Sequence, residues 1–429
     1  MPTRELTDYQ VKIHNIIIIV YLVMLNIHSF FLDRTFVSPI KVGLMSIAPI
    51  IIIAYAPYVT KAVIWGLTYW LYCIFSSYLN AALRFSTLAY SGLFIITFIM
   101  YYNLFYQGTL PIHLYKKVFK YIICFFAIIL LMQQFCLLVG IRNFPLINLI
   151  GNSYMDIDKL PSMTLEPSHT AVIMSFAFLC YIRCNQLMMH QKISFSELFN
   201  KDNRWTTLAF LWVMLTMGSA SAYFGIIGLS LYFASSKNIV TYLIVALICA
   251  VSVTYLAQHN EQLDRVTKLS KAMSSGDSAS IIEADGSGAS RIIPLINTFT
   301  KLDLSKKETW FGHGNESQDS RYYKESWLDW SKADYFVIPI VRQYGLIGWF
   351  LTLILVYSCC IKRFFSIETL LWFTLGMATL GNIYFHWGII LMMTGIRYYQ
   401  SIEIDDTLCF EESTDNYNEI EVCENKTES

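Results

Sequence analysis

Charge is scarce in this sequence. Of 429 residues only 14% are charged and 55% are apolar, whereas an average soluble domain carries about 25% charge. The 31 Lys and Arg balance 31 Asp and Glu, so the chain lacks the basic surplus that holds nucleic acid, and no nucleic-acid partner is expected. No C-x₂-C pair and no His, Cys and carboxylate cluster has metal-ligand spacing, which argues against a bound metal. No G-x-x-x-x-G-K-[ST] loop occurs, leaving P-loop ATP hydrolysis unsupported. Ten cysteines are present, but none falls between 258 and 340, the longest polar stretch, and most lie inside apolar runs. A disulfide framework is therefore not expected. No repeat of fixed period is visible, which weakens an inverted-repeat transporter reading.

Long hydrophobic runs are abundant. "IHNIIIIVYLVMLNIHSFF" (13–31) and "KVFKYIICFFAIILLMQQFCLLVG" (117–140) reach the roughly 20 residues that cross a bilayer. Backbone exposed to lipid must satisfy its own hydrogen bonds, so the expected fold is all-α and polytopic. Apolar runs at 13–31, 42–59, 62–80, 86–106, 118–140, 169–183, 205–219, 220–235, 239–257, 343–361, 366–384 and 386–399 predict about twelve transmembrane helices. The pair at 205–235 reads as one broken hairpin. "MPTRELTDYQVK" leads into a run without a small-residue cleavage site, so the first helix is expected to be retained.

The basic residues orient these spans. With the N-terminus inside, cytoplasmic loops hold Lys61, the Lys116, Lys117 and Lys120 group, Arg183 through Arg204, Lys237, and Lys362 with Arg363, whereas the short outer loops hold few cations. Residues 1–257 then form helices 1–9, with an outer loop at 141–168. Residues 258–342 form one long outer loop, and 343–399 form helices 10–12. Residues 400–429 form an acidic tail, expected to be disordered and cytoplasmic.

Three stretches carry chemistry. "SMTLEPSHTAVI" (162–173) opens a span with Glu166 and His169. Pro167 suits the first helical position and Glu166 complements the positive end of the helix dipole, so a capping role accounts for both. The alternative is functional: ionisable groups at membrane depth are costly, and a carboxylate beside apolar surface suits a general base. In "QLDRVTKLSKAM" (262–273), Arg265, Lys268 and Lys271 stand at helical i, i+3 spacing. Such a row is either a solvated face or a clamp for diphosphate, which an arginine fork grips bidentately. Arg291 follows in "GSGASRIIPL", His313 in "WFGHG", and Trp327 in "WLDWSKADYF", where aromatic rings could stack on sugars. "LTMGSASAYFGIIGLS" (215–230) offers small residues for close helix packing, and Tyr223 as a phenol that could face a sugar.

In sequence order, "EPSHTA", "LTMGSASAYFG", "SGASRIIPL", "WFGHG" and "DYFVIPIVRQYGLIGWF" resemble the O-antigen and exopolysaccharide repeat-unit polymerases, the Wzy family, which is related to O-antigen ligases. The resemblance covers residues 160–360 and is one of order and context. It implies a membrane glycosyltransferase of GT-C-like architecture in the bacterial inner membrane. Such an enzyme joins undecaprenyl-diphosphate-linked oligosaccharide units on the periplasmic face by inverting, metal-independent transfer, without a cofactor. Its partners would be lipid-linked glycans, the bilayer, a chain-length regulator and a flippase. Glu166 and His169 would serve the acceptor side, while Arg291, with Arg265 and Arg342 added by position, would hold the diphosphate. Tyr223, Trp327 and His313 would contact sugar. Two departures bear on this. Ala220 and Ala222 follow Ser219 and Ser221 where ligase-like relatives carry Arg, and Asp334 stands where they carry His ahead of Gly345 and Gly348. Both count against an O-antigen ligase. A lipid-linked oligosaccharide flippase is the reading from another class.

Overall fold

The computed structural model describes residues 6–27, 38–81, 83–141, 160–164, 166–234, scattered positions between 264 and 284, 303–312, 314, 343–376, 380 and 383–402. Among these residues the fold is entirely helical. The helices are α1 (Asp8–Asn26), α2 (Pro39–Tyr55), α3 (Lys61–Leu79), α4 (Phe85–Phe105), α5 (Ile112–Leu138), α6 (Pro167–Met189), α7 (Arg204–Thr216) and α8 (Ala220–Phe233). Then come short α9 (Ser278–Ala284) and α10 (Lys307–Phe311), α11 (Gly345–Cys359), and α12 (Ile367–Leu371), which runs into a π-turn at Trp372–Gly376. The last helix, α13, occupies 384–402.

Five of these helices, α1, α3, α4, α5 and α6, are long and apolar enough to cross a membrane. The protein is an α-helical membrane protein. The predicted runs coincide with helices at α1 to α8, α11 and α13, whereas the run at 239–257, the loop segments 142–159 and 315–342, and the acidic tail after residue 402 lie outside the described residues. The 205–235 stretch is the broken hairpin that its composition suggests. Gly218 turns between α7 and α8 with φ +70°, a conformation that costs glycine nothing.

Burial divides the helices into two kinds. The stretch 384–396 of α13 is buried on every side, as expected of a helix that is apolar all round and sits at the centre of a bundle. Trp387 stacks on Phe94 of α4 with rings 7° from parallel, and the Tyr115 hydroxyl of α5 donates to the Met392 carbonyl at 2.7 Å. The helices around it keep apolar side chains on the outside: Ile53 is 77% exposed and Phe135 65%. In water so much exposed apolar surface would be a liability, and in a bilayer it is the required lipid-facing coat.

Consecutive helices run antiparallel. Gln133, near the end of α5, meets Ser162 just before α6, while Asn26, at the end of α1, lies against Gly388 near the start of α13. The bundle therefore has two chemically distinct ends. One gathers the starts of α2, α6, α11 and α13. The other gathers the end of α6, the end of α8 and the start of α12. Gly225 of α8 fits against Ser175 of α6 so closely that a Cβ would fall 2.1 Å from the Ser175 hydroxyl. The small residues of "SAYFGIIG" thus serve close helix packing.

Candidate functional site

The approach to α6 is built as a clamp. Gln133 of α5 accepts from the Ser162 N–H and donates to its carbonyl, both at 2.9 Å, and the Ser162 hydroxyl donates to the Phe126 carbonyl at 2.7 Å. Ser162 has φ +53°, a left-handed conformation that disfavours non-glycine residues by roughly 1–2 kcal/mol, so these three bonds hold a turn the chain would not choose. Thr164 then donates to the Glu166 carbonyl at 2.7 Å, and its hydroxyl lies 2.8 Å from that of Thr170. Pro167 occupies the first helical position.

Glu166 is the N-cap residue by position, but its carboxylate accepts no backbone N–H of the first turn. It accepts from the Ser168 hydroxyl at 3.2 Å and stands 3.8 Å from His169 Nε2. The Glu166 side chain is 51% exposed and that of His169 26%. The positions expected of Glu166 and Pro167 at the helix start are thus observed, and the Glu166 carboxylate makes no capping hydrogen bond there. What remains is a carboxylate and an imidazole on one helical turn, in contact with solvent.

His169 is backed by the first turn of α13. Its ring lies 4.4 Å from the Phe385 ring, and Phe385 in turn meets His386 edge-on at 4.4 Å. His386 is buried, lies within electrostatic range of His169, and its Nδ1 makes no hydrogen bond among the described residues. Two residues before His386, the ring of Tyr384 carries the buried Lys41 ammonium 3.7 Å above its centroid, a cation–π contact that lets an amine lie inside the bundle. Lys41, Tyr384, His386, His169 and Glu166 therefore belong to one end of the helix bundle. The sequence reading singled out neither Lys41 nor "YFHWG". The overlooked signal was local: an ionisable residue at the edge of an apolar run is a functional hypothesis in its own right.

A second assembly forms at the same end. Gly312 and Gly345 have φ +72° and +65°, and a Cβ on Gly345 would fall 2.1 Å from the Trp310 carbonyl oxygen. Only glycine permits this backbone-on-backbone approach. The Gly314 N–H donates to the Gln343 carbonyl at 2.9 Å, and the Tyr72 hydroxyl of α3 reaches the Tyr344 carbonyl at 2.9 Å. "WFGHG" and "QYGLIG", some thirty residues apart in sequence, are thereby docked on each other and on α3. In the docked segment, the Ser305 hydroxyl and N–H both bond to the Asp303 carboxyl and hold it below the usual carboxylate range.

Of the other predicted site residues, Tyr223 is half-buried in the first turn of α8. Arg291, Arg265, Arg342, Trp327 and His313 lie outside the described residues. In the cation row, Lys268 pairs with Asp264 at 2.6 Å, one helical turn back. That contact supports the helical spacing of the row and the solvated-face reading of this lysine. No cluster of three metal-ligating side chains exists among the described residues. No family profile, curated protein or solved structure matches the chain.

Proposed function

We propose that the protein is a polytopic inner-membrane glycosyltransferase, of GT-C-like architecture with about twelve spans, that polymerises undecaprenyl-diphosphate-linked oligosaccharide units at the periplasmic face. The observation that carries this reading is the loose Glu166 and His169 pair, 3.8 Å apart and solvent-accessible at the start of a membrane helix. The Glu166 carboxylate is half-exposed and makes no capping bond to the helix backbone, which leaves it accessible to an acceptor hydroxyl. In the proposed reaction Glu166 takes the proton of an acceptor hydroxyl, whose oxygen attacks the anomeric carbon of the donor glycan as the bond to the diphosphate oxygen breaks. Inversion follows from attack opposite the leaving group. His169 orients the acceptor, and Arg291, Arg265 and Arg342 take up the negative charge that develops on the departing diphosphate. Tyr223, Trp327 and His313 contribute sugar contacts. A chain-length regulator and a flippase are the proposed partners.

The buried Lys41 and His386 favour a second reading, a lipid-linked oligosaccharide flippase, because transporters place ionisable groups within the bundle. A glycan ladder on a gel separates the readings. In a deletion strain, a single unit on the acceptor, restored to a ladder by wild type and not by Glu166→Gln or Arg291→Ala, supports the polymerase. Long chains stranded on the carrier lipid would indicate a ligase. Loss of all surface units would indicate a flippase.

A further inference from the structure

At the other end of α6 a groove of about 650 Å³ opens between α6, α8 and the start of α12, within the size range of ligand pockets. Arg183 is about 25 Å from Glu166 along the helix, at ~1.5 Å per residue, so this groove is separate from the site above. Three cations line it: Arg183, Lys192 and Arg363. Of these, Arg183 is engaged by Glu368 through two bonds of 2.6 and 3.0 Å, which neutralise its guanidinium. Lys192 and Arg363 are both exposed. Lys192 donates to the Ala234 carbonyl at the end of α8 at 3.2 Å and lies 5.4 Å from the Tyr232 ring, so its ammonium is held at the mouth of the groove without an acidic partner among the described residues.

The rim is of the opposite character. Phe364 is 57% exposed and Phe365 94%, and Leu231 and Phe373 continue the apolar lining. Consecutive phenylalanines pointing outward beside two cations with no acidic partner among the described residues, where membrane helices end, match the two parts of a phospholipid. A soluble polyanion would need the cations and gain nothing from Phe365. A neutral lipid would use the phenylalanines and leave the cations idle.

We propose that this groove binds an anionic phospholipid, its phosphodiester between Lys192 and Arg363 and its acyl chains along Phe364, Phe365 and Leu231. The inference does not depend on the proposed glycosyl transfer. The test is native mass spectrometry of the full chain in detergent, titrated with phosphatidylglycerol or phosphatidylcholine, with and without millimolar inorganic phosphate. Each surface cation contributes about five-fold to anionic-lipid binding, so Lys192→Ala/Arg363→Ala should retain phosphatidylglycerol about thirty-fold less tightly, with phosphatidylcholine binding unchanged. Arg363→Gln alone should lose about five-fold, and it decides the matter if the double variant melts early in phosphatidylcholine micelles. Equal retention of the two lipids, or equal phosphatidylglycerol binding by wild type and Arg363→Gln, would overturn the proposal. So would displacement of phosphatidylglycerol by inorganic phosphate, which would mark a soluble-phosphate site.

Discussion

Helix α6 carries an acid–base pair at each end, and the two are built in opposite ways. At its end, Arg183 and Glu368 meet in a fork of 2.6 and 3.0 Å with side chains 16% and 9% exposed. The third guanidinium nitrogen is taken by Gln186 at 2.7 Å, and Gln186 is itself held by the Tyr232 hydroxyl. At its start, Glu166 and His169 stand 3.8 Å apart and open to solvent, with one serine hydroxyl on the carboxylate. In the first pair each guanidinium nitrogen and each carboxylate oxygen makes a hydrogen bond, and the pair joins α6 to α12 across 185 residues of sequence. The second is solvent-exposed, while the backbone leading into it is fixed by the Gln133–Ser162 clamp. A rigid backbone under a solvent-exposed carboxylate is what a reacting group requires, whereas a buried, doubly bonded pair is what a bundle requires to fix the register of its helices.

The comparison predicts that function and stability separate between the two ends. Glu166→Gln should lower glycan polymerisation by about 10²–10⁴-fold, the usual contribution of a general base, with unfolding free energy changed by less than about 0.5 kcal/mol. Polymerisation at the wild-type rate would remove Glu166 from the chemistry. At the other end, Glu368→Gln leaves Arg183 buried and uncompensated and should destabilise the protein by about 3–5 kcal/mol. Thermal denaturation in detergent reads this directly. Arg183→Met/Glu368→Met, which removes both charges, should recover most of that loss. If the double variant is as unstable as the single one, the pair is not a self-contained structural unit.

The sequence foretold one half of this comparison better than the other. Periodicity and length placed α1 to α8, α11 and α13, because a membrane helix satisfies its backbone within its own segment and so writes its signature locally. Glu166 and His169 could be found because a helix start is also a local event. Arg183 was read only as a cytoplasmic loop charge, since its partner Glu368 lies in a different helix and nothing near either residue announces the other. The Gln133 clamp was invisible for the same reason. Lys41 and His386 stand at the edges of the apolar runs 42–59 and 386–399, but their proximity to the α6 start depends on how α2 and α13 pack.

The clamp offers a finer way to test whether the start of α6 is held by its backbone. Gln133→Leu would leave the Ser162 N–H and carbonyl buried without partners, at a cost of about 1–3 kcal/mol, and would release a left-handed residue to relax. Because Glu166 sits four residues beyond Ser162, polymerisation should fall along with stability. A variant that is destabilised yet fully active would mean that α6 itself, rather than the turn before it, positions the carboxylate.

The smallest effect is expected at Ser168, whose hydroxyl donates the exposed 3.2 Å bond to Glu166. Ser168→Ala should change unfolding free energy by less than about 0.5 kcal/mol, as for most exposed substitutions. Its effect on polymerisation depends on what restrains the carboxylate. If the α6 start alone aims Glu166, the rate should fall only a few-fold, because the charge remains and merely gains rotamer freedom. If Ser168→Ala approaches Glu166→Gln in severity, the serine hydroxyl is a positioning group, and the start of α6 is less loosely built than its distances suggest. Gel-ladder length and melting temperature, measured on the same preparations, distinguish the two, since an activity loss without a stability loss confines the effect to the aim of one side chain.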